Sequence, residues 1–256
     1  MGNEIVAVMR RYELKYRLSK EQVIAFKEKI LNHMKVDKYG LTTISSLYFD
    51  TPSYSLITRS IEKPFYKEKI RLRSYSLAKE GSPVFLEIKR KNDSVVYKRR
   101  IVTSEDKVER FLNQNEIFDQ KQISRELKAF KEKYGVLEPK YLIIYDRIAY
   151  YQDESDLRIT IDQNPRYRIT DLNLHTSLDG IPLLNEGEAI LEIKVQHSFP
   201  LWLVEILTQE KIYQTSFSKV GTAHKMETKK KASKEIIFNQ STNIQMKGER
   251  QYGIII

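Results

Sequence analysis

Apolar and charged residues alternate in the segment Leu86-Glu87-Ile88-Lys89. The same arrangement, in which one apolar residue separates two charged ones, recurs at Glu13-Leu14-Lys15, Arg71-Leu72-Arg73 and Glu192-Ile193-Lys194. Residues two apart in a β-strand point to the same face, roughly 6.6 Å apart, while the residue between them points to the opposite face. Each segment therefore predicts a strand with one charged face and one apolar face.

Around these segments the chain carries signals for eight strands, either period-two alternation or enrichment in β-branched and aromatic residues. The predicted strands cover residues 12–18, 43–50, 70–75, 84–91, 95–102, 140–151, 157–162 and 189–195. Helices are predicted at 19–35, 104–115, 121–134 and 200–209, the first opened by the capping box Ser19-x-x-Gln22. Since eight strands can close a barrel, the sequence predicts an α+β fold, an eight-stranded antiparallel β-barrel tunnel with flanking helices.

The charged faces of such a barrel would point inward if its apolar faces packed against outer helices. Arg147, and Arg158 with Asp162, extend the charged pattern to two further strands. An interior of Arg, Lys and Glu is not a dry core, because burying an unpaired charge costs several kcal/mol per ion. The sequence therefore predicts a water-filled tunnel for an anionic guest. A chain of phosphates would satisfy the cations, and the carboxylates would suit Mg²⁺ or Mn²⁺ bridging phosphate oxygens.

A plainer interpretation explains any one of these strands. In an ordinary antiparallel sheet the polar face is simply solvated, although this accounts less well for all of the strands together. The carboxylates of Glu13 and Glu87 could likewise form internal salt bridges with neighbouring lysines instead of binding a metal.

Composition narrows the possible functions. The 256 residues include no cysteine, which excludes disulfides, thiolate metal sites and cysteine nucleophiles and fits a reducing, cytoplasmic setting. The formal charge of +10 predicts anionic partners. No apolar run reaches the roughly 18–20 residues of a membrane span, and no signal peptide is evident. We expect one domain over residues 1–224, followed by a basic, loosely ordered tail over residues 225–256.

Several segments together resemble the VTC domain of polyphosphate polymerases, within the superfamily of triphosphate tunnel enzymes. The segments are Arg11-Tyr12-Glu13-Leu14-Lys15-Tyr16, Ser46-Leu47-Tyr48-Phe49-Asp50-Thr51, Lys69-Ile70-Arg71-Leu72-Arg73, Phe85-Leu86-Glu87-Ile88-Lys89-Arg90-Lys91, Tyr145-Asp146-Arg147-Ile148-Ala149-Tyr150, Arg158-Ile159-Thr160-Ile161-Asp162, Leu191-Glu192-Ile193-Lys194 and Ser216-Phe217-Ser218-Lys219. They occur in the family's order. The wider superfamily opens with Glu-x-Glu-x-Lys, and Arg11 in place of its first Glu favours the VTC branch and phosphoryl transfer over hydrolysis.

The resemblance implies a polymerase that transfers the γ-phosphoryl group of ATP to phosphate or to a polyphosphate chain. By that analogy the phosphate-binding residues are Lys15, Arg71, Arg73, Lys89, Arg147, Arg158, Lys194 and Lys219. Of these, Arg71, Arg73, Arg147, Lys194 and Lys219 would be catalytic. Glu192 would carry the Mn²⁺ or Mg²⁺ ion, with Glu87 and Glu13 as further members of the metal site.

Three other functions stay open at this point. The same scaffold could hydrolyse tripolyphosphate or nucleoside triphosphates, or bind polyphosphate without turnover. A nucleic-acid binder would need exposed basic surface, which inward-facing cations argue against. The sequence predicts no membrane segment and no regulatory domain of its own, so export of a polymer would require a membrane-protein partner.

Overall fold

The computed structural model describes residues 12–79, 81–93, 95–119, 121–153 and 155–251, with side chains described as far as residue 236. The strands are β1 (Tyr12–Leu18), β2 (Lys35–Val36), β3 (Thr42–Asp50), β4 (Tyr66–Tyr75), β5 (Val84–Asn92), β6 (Val95–Thr103), β7 (Glu138–Tyr151), β8 (Arg158–Arg168), β9 (Ile181–Pro182), β10 (Ala189–Val195) and β11 (Gln214–Thr215). The helices are α1 (Lys20–Ile30), α2 (Ser55–Ile61), α3 (Glu105–Gln114), α4 (Gln122–Tyr134), α5 (Leu201–Gln209) and α6 (Lys219–Gln251). The predicted α+β class is confirmed. Arg11 lies outside the described residues.

All of these strands belong to one antiparallel sheet. Its eight long strands follow the order β1-β10-β8-β7-β3-β4-β5-β6, and they are the eight strands that the sequence predicts. Hydrogen bonds do not close the predicted barrel: in the part of the chain that the structure describes, β6 pairs only with β5, and the second edge of β1 is taken by β11. Instead the sheet curls until side chains of β5 and β1 meet, with Lys89 Nζ 3.2 Å from a Glu13 carboxylate oxygen. The result is an open-seamed tunnel.

The buried apolar residues of β1, β5 and β10 lie on the outer face of the sheet, beneath the helices. Ile88 of β5 shares one buried cluster with Phe130 of α4 and Val108 of α3, and Ile193 of β10 shares another with Phe26 of α1. Each fully buried side chain of this kind stabilises the fold by about 1.5–3 kcal/mol. A one-residue slip in register would turn charged side chains into these clusters, so burial selects which face is concave.

Helix α1 begins at the predicted capping box. Ser19 Oγ accepts a hydrogen bond from the backbone N–H of Gln22 at 3.3 Å, and the Gln22 side-chain oxygen accepts one from the backbone N–H of Ser19 at 2.9 Å. The helix ends at Ile30 and not at residue 35, because the chain turns there and enters β2, which pairs with β7. Helices α3, α4 and α5 lie where the sequence predicts them.

Helix α2 is not among the predicted elements, and its start depends on the buried carboxylate of Asp50. This carboxylate accepts hydrogen bonds from the backbone N–H groups of Thr51, Leu56 and Ile57 at 2.7, 2.8 and 2.7 Å. Asp50 therefore joins the end of β3 to α2. It belongs to a segment that carries the family resemblance, but its contacts are those of a structural residue.

We expect Asp50→Ala to lower the free energy of unfolding by about 3 kcal/mol, because three backbone donors lose their acceptor and each unsatisfied buried group costs roughly 1–3 kcal/mol. Urea unfolding measures the change. Asp50→Asn keeps one acceptor oxygen and should lie between the wild type and the alanine variant. A loss below about 1 kcal/mol for Asp50→Ala, less than a single unsatisfied group should cost, would contradict this role.

Helix α6 crosses the boundary after residue 224 that the sequence predicts. Its first turns pack on the sheet, where Val220 and Ala223 are buried in one cluster with Tyr167 of β8. The Tyr167 hydroxyl also donates a hydrogen bond to Glu227 at 2.5 Å. The division into a tunnel domain and a basic tail stays a prediction. None of the described helices combines the length and the apolar composition that a bilayer crossing requires.

Candidate functional site

The concave face of the sheet surrounds a cavity of about 510 Å³. Its cationic side chains are Lys15, Lys69, Arg71, Arg73, Lys89, Lys98, Arg147, Lys194 and Lys219. Its other lining residues are the carboxylates Glu13, Glu87 and Glu192 together with Tyr48, Val96, Tyr145 and Ser218. All of the predicted site residues except Arg158 are in this set. Nine cations against three carboxylates leave a strong excess of positive charge, so the cavity is suited to a polyanion.

Arg158 is the predicted residue that the structure does not bring to the cavity. It is the first residue of β8, and its Nη1 donates hydrogen bonds to the backbone carbonyls of Ser155 and Leu157, both at 2.8 Å. The side chain is exposed and is held against the turn that precedes the strand. Because the strand starts here, the loop supplies acceptors that a residue in mid-strand would not meet.

Glu87 is enclosed by cations. It is 1% exposed, and its two carboxylate oxygens accept hydrogen bonds from Arg71 Nε at 2.8 Å and Arg100 Nε at 2.7 Å, with Lys98 Nζ 3.0 Å away. Burial raises the pKa of Glu87, but the charges of Arg71 and of the other cations outweigh burial and hold the pKa far below its usual range. Its contacts are therefore those of the salt-bridge alternative, and its assignment to the metal site stays a prediction.

Asp162 performs a similar task on the opposite wall. It is fully buried and accepts two hydrogen bonds from Arg147, at 2.6 and 2.8 Å, and a further one from Lys219 Nζ. Arg147 Nη2 also lies 3.3 Å from a Glu192 oxygen. Burial raises the pKa of Asp162, but the Lys219 and Arg147 charges bring the pKa below its usual value. Asp162 thus holds two predicted phosphate-binding side chains in place.

Glu13 and Glu192 are the other two carboxylates of the cavity, and both are more exposed to it than Glu87. Cations flank them too, with Lys89 Nζ 3.2 Å from Glu13 and Arg147 Nη2 3.3 Å from Glu192. The two carboxylates lie diagonally on neighbouring strands, because Glu13 pairs with Lys194 and Glu192 with Lys15, and both line the cavity. Burial raises the pKa of Glu192, but the charges of Lys194 and Lys15 hold it well below its usual range, so the carboxylate is ionised at neutral pH. Mg²⁺ is commonly held by one or two carboxylates together with substrate phosphates, and this donor pair fits such an ion.

A metal site built from protein ligands alone is not found. Among the described residues no group of three His, Cys, Asp or Glu side chains is placed to hold an ion. None of the four histidines lines the cavity, and His33, for example, stacks on Trp202 with ring centroids 4.4 Å apart. Any divalent cation here would take most of its ligands from phosphate and water.

Five polar lining residues are not among the predicted site residues, namely Tyr48, Lys69, Lys98, Tyr145 and Ser218. The alternation contained the signal for two of them, since Lys69 precedes Arg71 by two residues and Tyr145 precedes Arg147 by two. Lys98 lies directly opposite Lys89 across the β5–β6 pair, a relation that only the strand register reveals.

The two tyrosines orient the paired arginines of β4. Arg71 Nη1 donates a hydrogen bond to the Tyr48 hydroxyl at 2.9 Å, and Arg73 Nη2 donates one to the Tyr145 hydroxyl at 3.2 Å. Burial raises the pKa of Tyr48, but the charges of Arg71 and Lys69 outweigh it and lower the pKa to about 7. The lowered pKa of this phenol reflects the positive charges that surround it.

The fold and the site together define a class: a curled antiparallel sheet whose cationic interior is built to enclose a polyanion. A family model, the VTC domain, matches residues 10–243. The chain belongs to the VTC domain family. The resemblance seen in the sequence is thereby confirmed, and the match spans the tunnel and much of α6.

Solved structures with a related fold are distant in sequence. A proposed adenylate cyclase from Bacillus halodurans is 16% identical, with 82% of this chain and 96% of that chain covered and a TM-score of 0.49. A proposed adenylyl cyclase from Hippeastrum with a dominant triphosphatase activity is 16% identical, with 81% and 92% covered and a TM-score of 0.49. The Mimivirus capping enzyme triphosphatase is 10% identical, with 78% and 88% covered and a TM-score of 0.36. A search of curated proteins gave no significant match. The family assignment rests on the family model and not on these structures.

Proposed function

We propose that this protein is a polyphosphate polymerase that transfers the γ-phosphoryl group of ATP to inorganic phosphate or to the end of a polyphosphate chain. The observation that supports it most directly is the cavity itself, in which nine cations and three carboxylates face one enclosed space. Guanidinium and ammonium groups are donors without acceptors, so a ligand made almost entirely of acceptor oxygens is the one that satisfies them. Membership of the VTC domain family and the triphosphatase named among the related structures are consistent with phosphate chemistry.

The proposed reaction needs positioning more than proton transfer. The terminal oxygen of phosphate or polyphosphate attacks the γ-phosphorus of ATP, the bond to the β,γ-bridging oxygen breaks, and ADP leaves. Because this nucleophile is already an oxyanion, no protein base is required. The cavity residues would align the two phosphate chains and neutralise the charge that builds up on the leaving group.

The cations have separate places in this scheme. Arg71 and Arg73 are held on β4 by the tyrosine hydroxyls and by Glu87, while Arg147 and Lys219 are held on the other wall by Asp162. We assign the transferring group to the space between these walls. Lys194, Lys15 and Lys89 would bind the phosphates on either side of it.

Glu192 with Glu13 would hold a divalent cation. When bound, Mg²⁺ or Mn²⁺ would supply positive charge that neutralises phosphate oxygens. The hydrogen bonds of Arg147 to Asp162 keep that guanidinium beside Glu192, so the cation and the arginine would act on the same phosphates.

One end of the tunnel suits the nucleoside. A second cavity of about 540 Å³ shares Arg73 and Arg147 with the first and is lined in part by Tyr39, Tyr75 and Phe85. Aromatic faces beside an arginine are a favourable surface for a nucleobase. We therefore place the base of ATP at this end, with its phosphates directed into the cationic cavity.

Incubation of the purified protein with ATP and Mn²⁺ or Mg²⁺ tests the proposal. We expect ADP to form together with a phosphate chain that a polyphosphatase degrades, in equal molar amounts of ADP and incorporated phosphate. Release of free phosphate without a chain would instead identify a tripolyphosphate or nucleoside triphosphate hydrolase. Tight binding without turnover would identify a binding module. A duplicate reaction with chelator shows whether the turnover depends on the metal.

The affinity for tripolyphosphate should fall as the pH rises through about 8, because burial and the nearby Lys15 and Lys89 charges lower the pKa of Lys69 to about 8. Below that pH Lys69 is charged and ready for the anion, whereas above it the free protein must take up a proton to bind. Titration calorimetry in two buffers of different ionisation enthalpy measures this uptake. Lys69→Met should reduce it, and the same uptake in both proteins would contradict the assignment. Lys98, whose pKa burial also lowers to about 8, accounts for the uptake that is left.

A further inference from the structure

Lysines face one another across strands at one end of the tunnel. In the β4–β5 pair, Lys69 lies directly opposite Lys89, and one step further along the same face Lys67 lies directly opposite Lys91. Lys69 and Lys89 line the cavity, but Lys67 and Lys91 do not. Two residues along a strand span roughly 6.6 Å, which is about the length of one or two phosphate units. The outer lysine pair therefore extends the cationic face beyond the cavity.

Such pairs are unfavourable for folding. Like charges directly opposite on neighbouring strands destabilise a sheet. Burial and the charges of Lys91, Lys89 and Lys15 lower the pKa of Lys67, which reflects the same repulsion. No carboxylate relieves it, because neither Lys67 nor Lys91 forms an ion pair with a residue in the described ranges.

The outer face of the same two strands is built differently. There Arg90 of β5 donates hydrogen bonds to Glu68 and to Glu126, both at 2.8 Å. Carboxylates thus accompany the cation on the face that packs against α4, whereas the concave face leaves its outer lysine pair without one. Unpaired cations on the face that leads out of an anion-binding cavity indicate a ligand that continues past the cavity.

The opposite end of the tunnel is built differently. Tyr39, Tyr75 and Phe85 lie there, and three arginines line the same cavity. Arg100 donates hydrogen bonds to the Tyr75 hydroxyl at 3.0 Å and to Glu87 at 2.7 Å, Arg147 donates one to Asp162 at 2.6 Å, and Arg73 lies 4.0 Å from Glu87. A carboxylate therefore accompanies each of these charges. The aromatic end of the tunnel therefore suits the nucleotide, and the end with the unpaired lysines suits a growing polyanion.

We propose that Lys67 and Lys91 form a subsite for the phosphate chain where it leaves the cavity, so that the polymer grows out through the end of the tunnel at which these two lysines lie. This inference rests on the proposed function for its substrate class. It adds a direction to the tunnel and a binding site beyond the space that a triphosphate fills. A chain long enough to reach the subsite gains two cationic contacts that tripolyphosphate lacks.

The double variant Lys67→Ala/Lys91→Ala tests the subsite by binding alone. We expect its affinity for long-chain polyphosphate to fall about tenfold, as the loss of two partly solvated charge contacts implies, while its affinity for tripolyphosphate stays within about twofold of the wild type. The control Lys38→Ala/Lys128→Ala removes the same charge outside the cavity, from Lys38 beside Tyr39 and from Lys128 on α4, and should leave both affinities unchanged. Competition against a labelled chain at constant ionic strength measures all of these values.

The outcomes separate the two proposals. Equal losses for the short and the long chain, or no loss for either, would overturn the subsite, whether or not the protein turns over ATP. Failure to form polymer together with the expected length-dependent loss would overturn the polymerase assignment and leave the subsite intact. Removal of a repulsive pair should not unfold the protein, and urea unfolding of the variant, expected to be at least as stable as the wild type, checks this.

Discussion

Replacement of Arg71 by alanine is expected to lower the affinity for tripolyphosphate by roughly 100-fold, or about 3 kcal/mol. The guanidinium lies in the cavity between Glu87, at 2.8 Å, and the Tyr48 hydroxyl, at 2.9 Å, so it enters the complex already oriented. Its loss removes a bidentate hydrogen-bond donor and leaves the phosphates with fewer partners in a site shielded from bulk water. Titration calorimetry or competition against a labelled chain measures the change.

The fold should survive this substitution. Glu87 keeps Lys98 and Arg100 as partners when Arg71 is absent, so its buried charge stays compensated. Arg71→Lys restores the positive charge but not the planar N–H donors of the guanidinium group, so we expect it to recover only part of the affinity.

Arg90→Ala is the matched control for Arg71→Ala, since Arg90 lies on the outer face of β5 and binds Glu68 and Glu126. Its loss leaves buried Glu68 with fewer partners, so we expect lower stability but an unchanged affinity for phosphate. Wild-type affinity in Arg71→Ala, or an equal loss in both variants, would contradict the role of Arg71 in the cavity.

The substitution Glu192→Gln is expected to reduce metal-dependent turnover by roughly 100-fold or more, equivalent to about 2.7 kcal/mol of lost transition-state stabilisation. Gln keeps the shape of the side chain but not the charge that a divalent cation requires. Binding of the phosphate chain itself should be retained or strengthened, because one negative charge leaves the cavity. The separation of turnover from binding is the feature that identifies a metal-binding carboxylate and not a merely structural ion pair.

Two further variants complete the test of Glu192. Arg147 keeps both of its hydrogen bonds to Asp162 when Glu192 is changed, so loss of its position is not the cause of the expected effect. Glu188→Gln changes a carboxylate that precedes β10 and pairs with Arg17 at 2.7 Å away from the cavity, and it should leave turnover unchanged. An unaltered metal titration curve for Glu192→Gln would exclude the assignment.

Local pattern was enough to predict the strands. Strands β1 and β10 begin and end at the residues that the alternation predicts. Apolar side chains at every second position can all pack against the helices in only one orientation of the strand. The same argument placed Lys15 and Lys194 on the concave face before any contact was known. The capping box at Ser19 was equally local, since its two hydrogen bonds join residues three apart.

Long-range contacts explain what the pattern missed. Helix α2 depends on Asp50, whose carboxylate reaches a segment that has no strong helix signal of its own. Arg158 is a cation two residues from Thr160 and four from Asp162, on the same face of β8. It is the first residue of the strand, however, and there the carbonyls of the preceding loop accept its hydrogen bonds. Glu87 resembles Glu192 in sequence, yet the neighbouring strands surround it with cations.

By itself the sequence determined the eight strands, the face of each that would carry charge and the excess of cations that makes an anion the suitable guest, because these follow from the period of two and from composition. Only the tertiary structure decided how the cations are distributed around each carboxylate, which tyrosines hold the arginines and which lysines oppose one another where β4 begins and β5 ends. Strand register and curvature bring together residues far apart in the chain, and the charge around each group depends on those neighbours and not on its own segment.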